Sequence, residues 1–228
     1  MPFFDPTWII ILPALILSIW AQANVNSTFS KFSRVLNRRG MTGYDAARRI
    51  LDMNGLQNIA IEHIGGNLTD HYDPRTNTVR LSDSVYGSSS VAAIGVAAHE
   101  VGHAVQHAVG YVPIRLRNAI VPVVNLCSQL AIPLFVLGLI FSSSLFMLTD
   151  VGIILFSAAV LFHVVTLPVE INASRRAIST LESSYMLEGD EVSGAKKVLS
   201  AAAMTYIASA ATALLQLLRL IAIRDRRR

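Results

Sequence analysis

The chain has 228 residues, of which 53% are hydrophobic and only 15% charged, and its mean hydropathy is +0.50. That is too apolar for an ordinary soluble domain and points to a membrane protein with one modest polar domain. The formal net charge is +4 and the basic residues flank apolar runs, a pattern of membrane orientation rather than nucleic-acid binding. A single cysteine, Cys127, excludes a disulfide framework within the chain and any cysteine-based zinc site.

The first apolar run, Trp8 to Ala21, lies in a stretch without charge from Pro6 to Ser30, long enough for a span over residues 8–24. Pro13 is a point of kinking. No basic residue precedes the run, which argues against a secretory signal. Positive charges follow it instead: Lys31, Arg34, Arg38 and Arg39, then Arg48 and Arg49. The positive-inside rule therefore places the amino terminus outside and residues 25–117 in the cytoplasm as the first part of a polar domain. Thr42 to Met53 reads as a helix capped by Thr42 with Asp45 and closed by Gly55. Asn58–Ile64, Leu68–Tyr72 and Thr78–Ser82 alternate as strands, and Asp73–Asn77 has turn chemistry, so the last two predict a hairpin. Such a sheet either offers an edge strand to an extended peptide or merely covers the core.

A loop over Gly87–Ser90 leads into a helix from about Val91 to Val109, and this helix carries His99-Glu100-Val101-Gly102-His103. One turn separates the two histidines, so both imidazoles leave one face and can bind one Zn²⁺. Glu100 leaves beside them, where it can reach a metal-bound water. Ala97, Ala98, Val101, Ala104 and Val105 surround the motif. Burying two histidines and a glutamate among such residues costs several kcal/mol unless something binds them, which disfavours a chance match. His107 continues the series, but it lies about 12 Å along the helix from His99 and cannot share an ion with it. The broken-helix solution H-E-x-x-H-x-x-G-x-x-H is absent, because Gln106 and Val109 stand at the glycine and third-histidine positions. The third ligand must come from elsewhere.

Arg115 and Arg117 precede a charge-free run, residues 119–141. After a Ser-rich segment and Asp150, a second run over residues 151–168 leads to Glu170, Arg175 and Arg176. This predicts a transmembrane hairpin that interrupts the catalytic domain and returns the chain to the cytoplasmic face, with Glu170 on the side of His99 and His103. His163, within the second run, is read as a neutral polar group facing the bundle interior. Residues 169–228 form the second part of the domain. Its helix, 198–221, is free of charge from Val198 to Leu218, yet it is rich in Ala, Ser and Thr and basic at both ends. That favours an amphipathic cytoplasmic helix, with a fourth crossing as the alternative.

Leu68-Thr69-Asp70-His71-Tyr72-Asp73-Pro74, Val79-Arg80-Leu81-Ser82, the Ala97–Ala104 segment and Leu167–Ala177 closely resemble the bacterial YugP-like family, described as putative neutral zinc metallopeptidases of the membrane. The layout also resembles the HtpX and CAAX-prenyl-protease group of membrane gluzincins, in which a Glu ligand follows in an E-x-E-A-D-R-x-A-like pattern. Glu170, Ala173, Arg175 and Ala177 match that pattern, while Asn172 replaces the second Glu and Ser174 the Asp. The resemblance and the topology together imply Glu170 as third ligand. They imply a mainly α membrane protein with a zincin-like α+β catalytic domain and a small sheet. The expected activity is a membrane-embedded endopeptidase with one Zn²⁺ per chain, using a metal-bound water and Glu100 as general base. Arg175, Arg176, Tyr185 and His71 are candidates for stabilising the oxyanion. The expected partners are a peptide or protein substrate, membrane proteins among them, and the lipid bilayer, with no nucleic acid. The expected location is the bacterial plasma membrane, multi-pass, with the active site on the cytoplasmic side. A reading of another class is a non-catalytic membrane scaffold with a structural zinc site, which would have no need of Glu100 as a base.

Overall fold

The structure, a computed structural model, describes residues 6–141 and 145–227. The chain divides into two compact units, one of Met1–Ala21, Arg115–Pro168 and Thr205–Arg228, the other of Gln22–Ile114 and Val169–Met204.

The second unit holds the short elements. Helix α2 (Gly43–Met53) starts as its sequence predicts: Asp45 N–H donates to Thr42 Oγ1, and Thr42 N–H donates back to Asp45 Oδ2. Its Ala46, Ala47, Ile50 and Leu51 form the buried face. Three strands follow, β1 (Ala60–Ile64), β2 (His71–Asp73) and β3 (Thr78–Ser82), in the order β1-β3-β2, with β1 parallel and β2 antiparallel to the central β3. The predicted hairpin is present, and Thr78–Ser82 is a strand over its whole predicted length. The other two strands are shorter than their alternation suggested, for local reasons. Ile59 N–H is committed to the carbonyl of Leu56 in a turn after α2, so β1 begins at Ala60. Gly66 and Leu68 take positive φ angles of 108° and 56°, which bend the chain away from pairing until His71.

Two aspartates of the 68–74 segment then fix β2 in place. Asp70 accepts from the backbone and hydroxyl of Ser82 at 2.7 and 2.9 Å. Asp73 accepts from Arg75 N–H and Thr76 Oγ1 and pairs with Arg80 at 3.0 Å, which holds its carboxyl down to about 2.

Helix α3 (Val91–Ala108) is the core of this unit. Ser90 caps it by accepting from Ala93 N–H. Ile94, Ala97, Ala98, Val101 and Ala104 are buried, and α3 packs against α2. On another side α3 meets α5 (Met147–Ser183), of which Val169–Ser183 belongs to this unit. The close approach depends on Gly102, where a Cβ would stand 2.8 Å from the carbonyl oxygen of Ala173. Gly95 meets Ala195 of α6 (Asp190–Arg226) in the same manner, with 3.4 Å between the added Cβ and the alanine methyl.

The first unit is built from parts of α1 (Trp8–Phe32), α4 (Val112–Ile140), α5 and α6. All four helices are long and apolar enough to cross a membrane. The predicted spans 8–24, 119–141 and 151–168 fall on α1, α4 and α5, though each helix runs beyond its apolar run. The predicted external loop begins at Ser142, and Ser142–Ser144 lie outside the described residues. Glycines again set the closest approach: a Cβ on Gly152 of α5 would lie 2.7 Å from the carbonyl oxygen of Ala131 on α4.

Helix α6 extends beyond its predicted range of 198–221 at both ends. Val198–Leu218 is the middle of a continuous 37-residue helix, and within the first unit Thr212, Arg219 and Arg224 have partners outside it. Thr212 Oγ1 is 3.1 Å from Ser18 Oγ of α1. Arg219 Nε donates to Thr7 Oγ1, and its guanidinium lies 3.9 Å from the Trp8 ring centroid. Arg224 pairs with Asp150, at the start of α5, at 2.8 Å. The start of α1, the start of α5 and the end of α6 therefore share one end of this unit. One hydroxyl and two arginines of this helix thus meet side chains from elsewhere in the unit.

Candidate metal centre

His99 and His103 sit one turn apart on α3, and their rings lie nearly at right angles with centroids 4.8 Å apart. Glu170 comes from α5, two residues past Pro168. Val169, Ala173, Ala177 and Leu181 are the buried face of that stretch, and packing of Ala173 on Gly102 sets the α5 backbone against α3 at the level of His103. Glu170 thereby meets both imidazoles: Oε2 is 3.3 Å from His99 Nε2 and 3.5 Å from His103 Nε2. The ligand atoms of the three residues lie within 4.8 Å of one another. Tetrahedral bonds of 2.0–2.1 Å to one Zn²⁺ require neighbouring ligand atoms about 3.3–3.4 Å apart, so the donor set fits that ion in kind and in spacing. Glu170 is only 2% exposed and His103 9% exposed.

Each histidine also has a partner on its other ring nitrogen. His99 Nδ1 is 3.1 Å from Ser174 Oγ, so the hydroxyl that stands in place of the expected aspartate does reach the ring. His103 Nδ1 is 3.1 Å from Gln106 Oε1. Such contacts orient the rings and leave both Nε2 atoms directed at Glu170.

Glu100 leaves α3 beside the histidines, and its Oε2 accepts from Tyr72 N–H of β2 at 3.1 Å. The braces at Asp70 and Asp73 therefore hold the strand that holds Glu100. Burial pushes the Glu100 carboxyl above the usual range, and the Glu170 and Asp70 carboxylates add to this, while His99 and His103 oppose it. For His103, burial alone would lower the pKa, yet the neighbouring Glu170 and Glu100 carboxylates raise it above the ordinary histidine value. Charges that favour a proton at this nitrogen favour a cation there for the same reason.

His107 stays out of the cluster, as its spacing predicts. Its ring packs against Tyr72, with centroids 5.5 Å apart. His163 lies on α5 in the first unit beside Phe162. The four oxyanion candidates are spread over the second unit. His71 is exposed on β2, with Nδ1 against the Thr69 carbonyl. Tyr185 is 66% exposed and takes a φ of 56° after α5. Arg175 and Arg176 line a cavity of about 360 Å³ between α2, α3 and α5, next to Gly102 rather than to the histidine face. Arg176 Nε donates to Asn172 Oδ1. Sequence reasoning missed the amide of Tyr72 as a partner of Glu100, and Gln106 as a partner of His103. The second left a signal: it is a polar residue in an apolar run, three positions after a histidine and thus on its face.

These features describe a mainly helical protein with four helices long and apolar enough to cross a membrane, and with two imidazoles and a carboxylate grouped so that they could hold a metal ion, a second carboxylate standing beside them. The sequence profile of a family described as "Putative neutral zinc metallopeptidase" matches residues 7–225, and the chain belongs to that family. It is 50% identical over 212 residues, 93% of each chain, to a Bacillus subtilis (strain 168) protein named "Putative membrane protease YugP". No solved structure matches. The family's description implies zinc, and the donor set fits it.

Proposed function

We propose that this protein is a membrane-embedded zinc-dependent endopeptidase with one Zn²⁺ per chain held by His99, His103 and Glu170. The observation that carries the reading is the 3.3 and 3.5 Å approach of one buried carboxylate oxygen to both imidazoles, with a second carboxylate next to them in sequence. When bound, Zn²⁺ supplies Lewis acidity for a water and for the scissile carbonyl. Glu100 takes a proton from the attacking water and delivers it to the leaving amine. The Tyr72 amide fixes Glu100 Oε2, which leaves Oε1 for that work. Glu170 contributes the negative charge that two neutral histidines lack. Among the oxyanion candidates, Arg176 is the one joined by hydrogen bonds to a ligand's partner, through Asn172 and Gln106. A scaffold with a structural zinc site gives no reason for an ionisable side chain at position 100 held by a braced strand. The test is metal removal. Purified full-length protein in detergent should cleave an unstructured reporter peptide, lose that activity with a zinc chelator and regain it with added Zn²⁺. Cleavage that survives chelation overturns the reading.

For the membrane we propose a plasma-membrane protein with four spans and the metal site on the cytoplasmic side. Charge asymmetry around α1, α4 and α5 supports the orientation. The Thr212–Ser18, Arg219–Thr7 and Arg224–Asp150 contacts support a crossing by α6 in preference to the amphipathic alternative. Both termini then lie outside. Arg228 lies outside the described residues, so the reporter belongs at Arg227. In a Cys127→Ser background, Arg227→Cys should be labelled on intact cells by a membrane-impermeant thiol reagent, and Asn58→Cys should not. Labelling of position 227 only after the membrane is opened would return α6 to the cytoplasmic side.

A further inference from the structure

Gln106 is fully buried in an otherwise apolar part of α3, and its side chain amide bonds on both sides. Its nitrogen donates to the carbonyl oxygen of Val169 at 2.8 Å and to Asn172 Oδ1 at 3.0 Å. A backbone carbonyl can only accept, so the nitrogen must face Val169. Asn172 imposes the same orientation, because its Oδ1 also accepts from Arg176 Nε, and an arginine can only donate. Gln106 Oε1 is thereby turned to His103 Nδ1 at 3.1 Å. An amide oxygen can only accept, so Nδ1 carries a hydrogen, and in the neutral ring Nε2 is the nitrogen that keeps its lone pair. That lone pair is on the nitrogen 3.5 Å from Glu170 Oε2. Ser174 does not constrain His99 in this way, since a hydroxyl donates or accepts as required.

We infer that Gln106 is a positioning residue of the metal site. It holds His103 in the tautomer whose Nε2 can bind metal, and it ties α3 to the backbone of Val169, the residue before Glu170. One amide thus sets the chemical state of one ligand and the position of another. The inference rests on the reading of His99, His103 and Glu170 as ligands, and the test separates the two.

Zinc affinity is measured on the full chain in detergent by competition with a fluorescent chelator, with Zn²⁺ alone as the probe. The thermal midpoint of each metal-free protein is measured alongside. Gln106→Met keeps the volume and removes every hydrogen bond, and it should weaken zinc binding about 10- to 100-fold. Gln106→Glu keeps an acceptor for His103 Nδ1 while it loses the amide donors to Val169 and Asn172. It should recover most of the lost zinc affinity with no gain in the metal-free midpoint over Gln106→Met. A merely structural residue would show zinc affinity following the midpoint in both variants, and that pattern overturns the inference. So does an affinity for Gln106→Met within about 3-fold of the unsubstituted protein, well short of the usual effect of losing such a partner. Should Gln106→Met give no folded protein, Gln106→Glu decides alone: affinity within about 10-fold of the unsubstituted protein supports the inference, and a larger loss overturns it. His103→Ala is the control. Unchanged zinc binding there overturns the ligand assignment itself. Loss of zinc in His103→Ala with none in Gln106→Met overturns only the role of Gln106.

Discussion

Glu100→Gln should leave zinc bound and lower peptide cleavage by about 10²- to 10⁴-fold, the usual contribution of a positioned general base. The substitution is nearly isosteric. Glutamine keeps an oxygen that can accept from the Tyr72 amide, so the side chain should hold its place against β2. It cannot take a proton from water at neutral pH, and the chemistry should fail for that reason alone. Zinc content, read on the same preparation by elemental analysis, should stay near that of the unsubstituted protein, because Glu100 is not in the ligand cluster. A large fall in cleavage with the metal in place identifies a catalytic role. Full activity in this variant would make Glu100 a packing residue and leave the protein without an evident base. Loss of the metal would instead place Glu100 among the ligands.

The ligand substitutions should have the largest effect on metal content. His99→Ala, His103→Ala and Glu170→Ala each remove one of three protein donors, and none of these variants should retain zinc through purification. Glu170→Ala is the most informative of the three, because its partners lie about seventy positions away in sequence and the contact exists only in the fold. The variant takes a buried carboxylate away from the two imidazoles beside it, so zinc content is read together with the thermal midpoint of the metal-free protein. A variant that still unfolds cooperatively but holds no zinc has lost a ligand, whereas one that shows no folded transition has lost its fold. His107→Ala should keep its zinc, since that ring packs on Tyr72 and not on the cluster. Zinc kept by Glu170→Ala and lost by His107→Ala would overturn the assignment of the third ligand.

The parts of this molecule legible in its sequence are those set by local chemistry. Thr42 and Asp45 announce the start of α2, and the 99, 103 spacing places two imidazoles on one face. The alternation over Thr78–Ser82 marks a central strand whose two faces are both largely buried. Glu170 was legible only because charge patterning returned the chain to the face where the histidines lie, and a matching motif then selected the residue. What was not legible depends on partners distant in sequence. The stripe of Ser and Thr on α6 reads as a solvent face until Ser18 is found opposite Thr212. Arg224 reads as part of a basic helix end until Asp150 appears beside it. Periodicity reports that a helix has a polar side and is silent on what covers it. The segment around Tyr72 reads as a strand, and no alternation pattern reveals that its amide is directed at Glu100.

The central claim is that one zinc ion is shared by α3 and α5. A crystal structure of the zinc-loaded protein with anomalous data collected across the zinc edge tests it most directly. The account predicts a single anomalous peak about 2.0–2.2 Å from His99 Nε2, His103 Nε2 and a Glu170 carboxylate oxygen, with a fourth position open to water. A peak held by His107 or Asp70, or one that touches the two histidines and leaves Glu170 unbound, would contradict it.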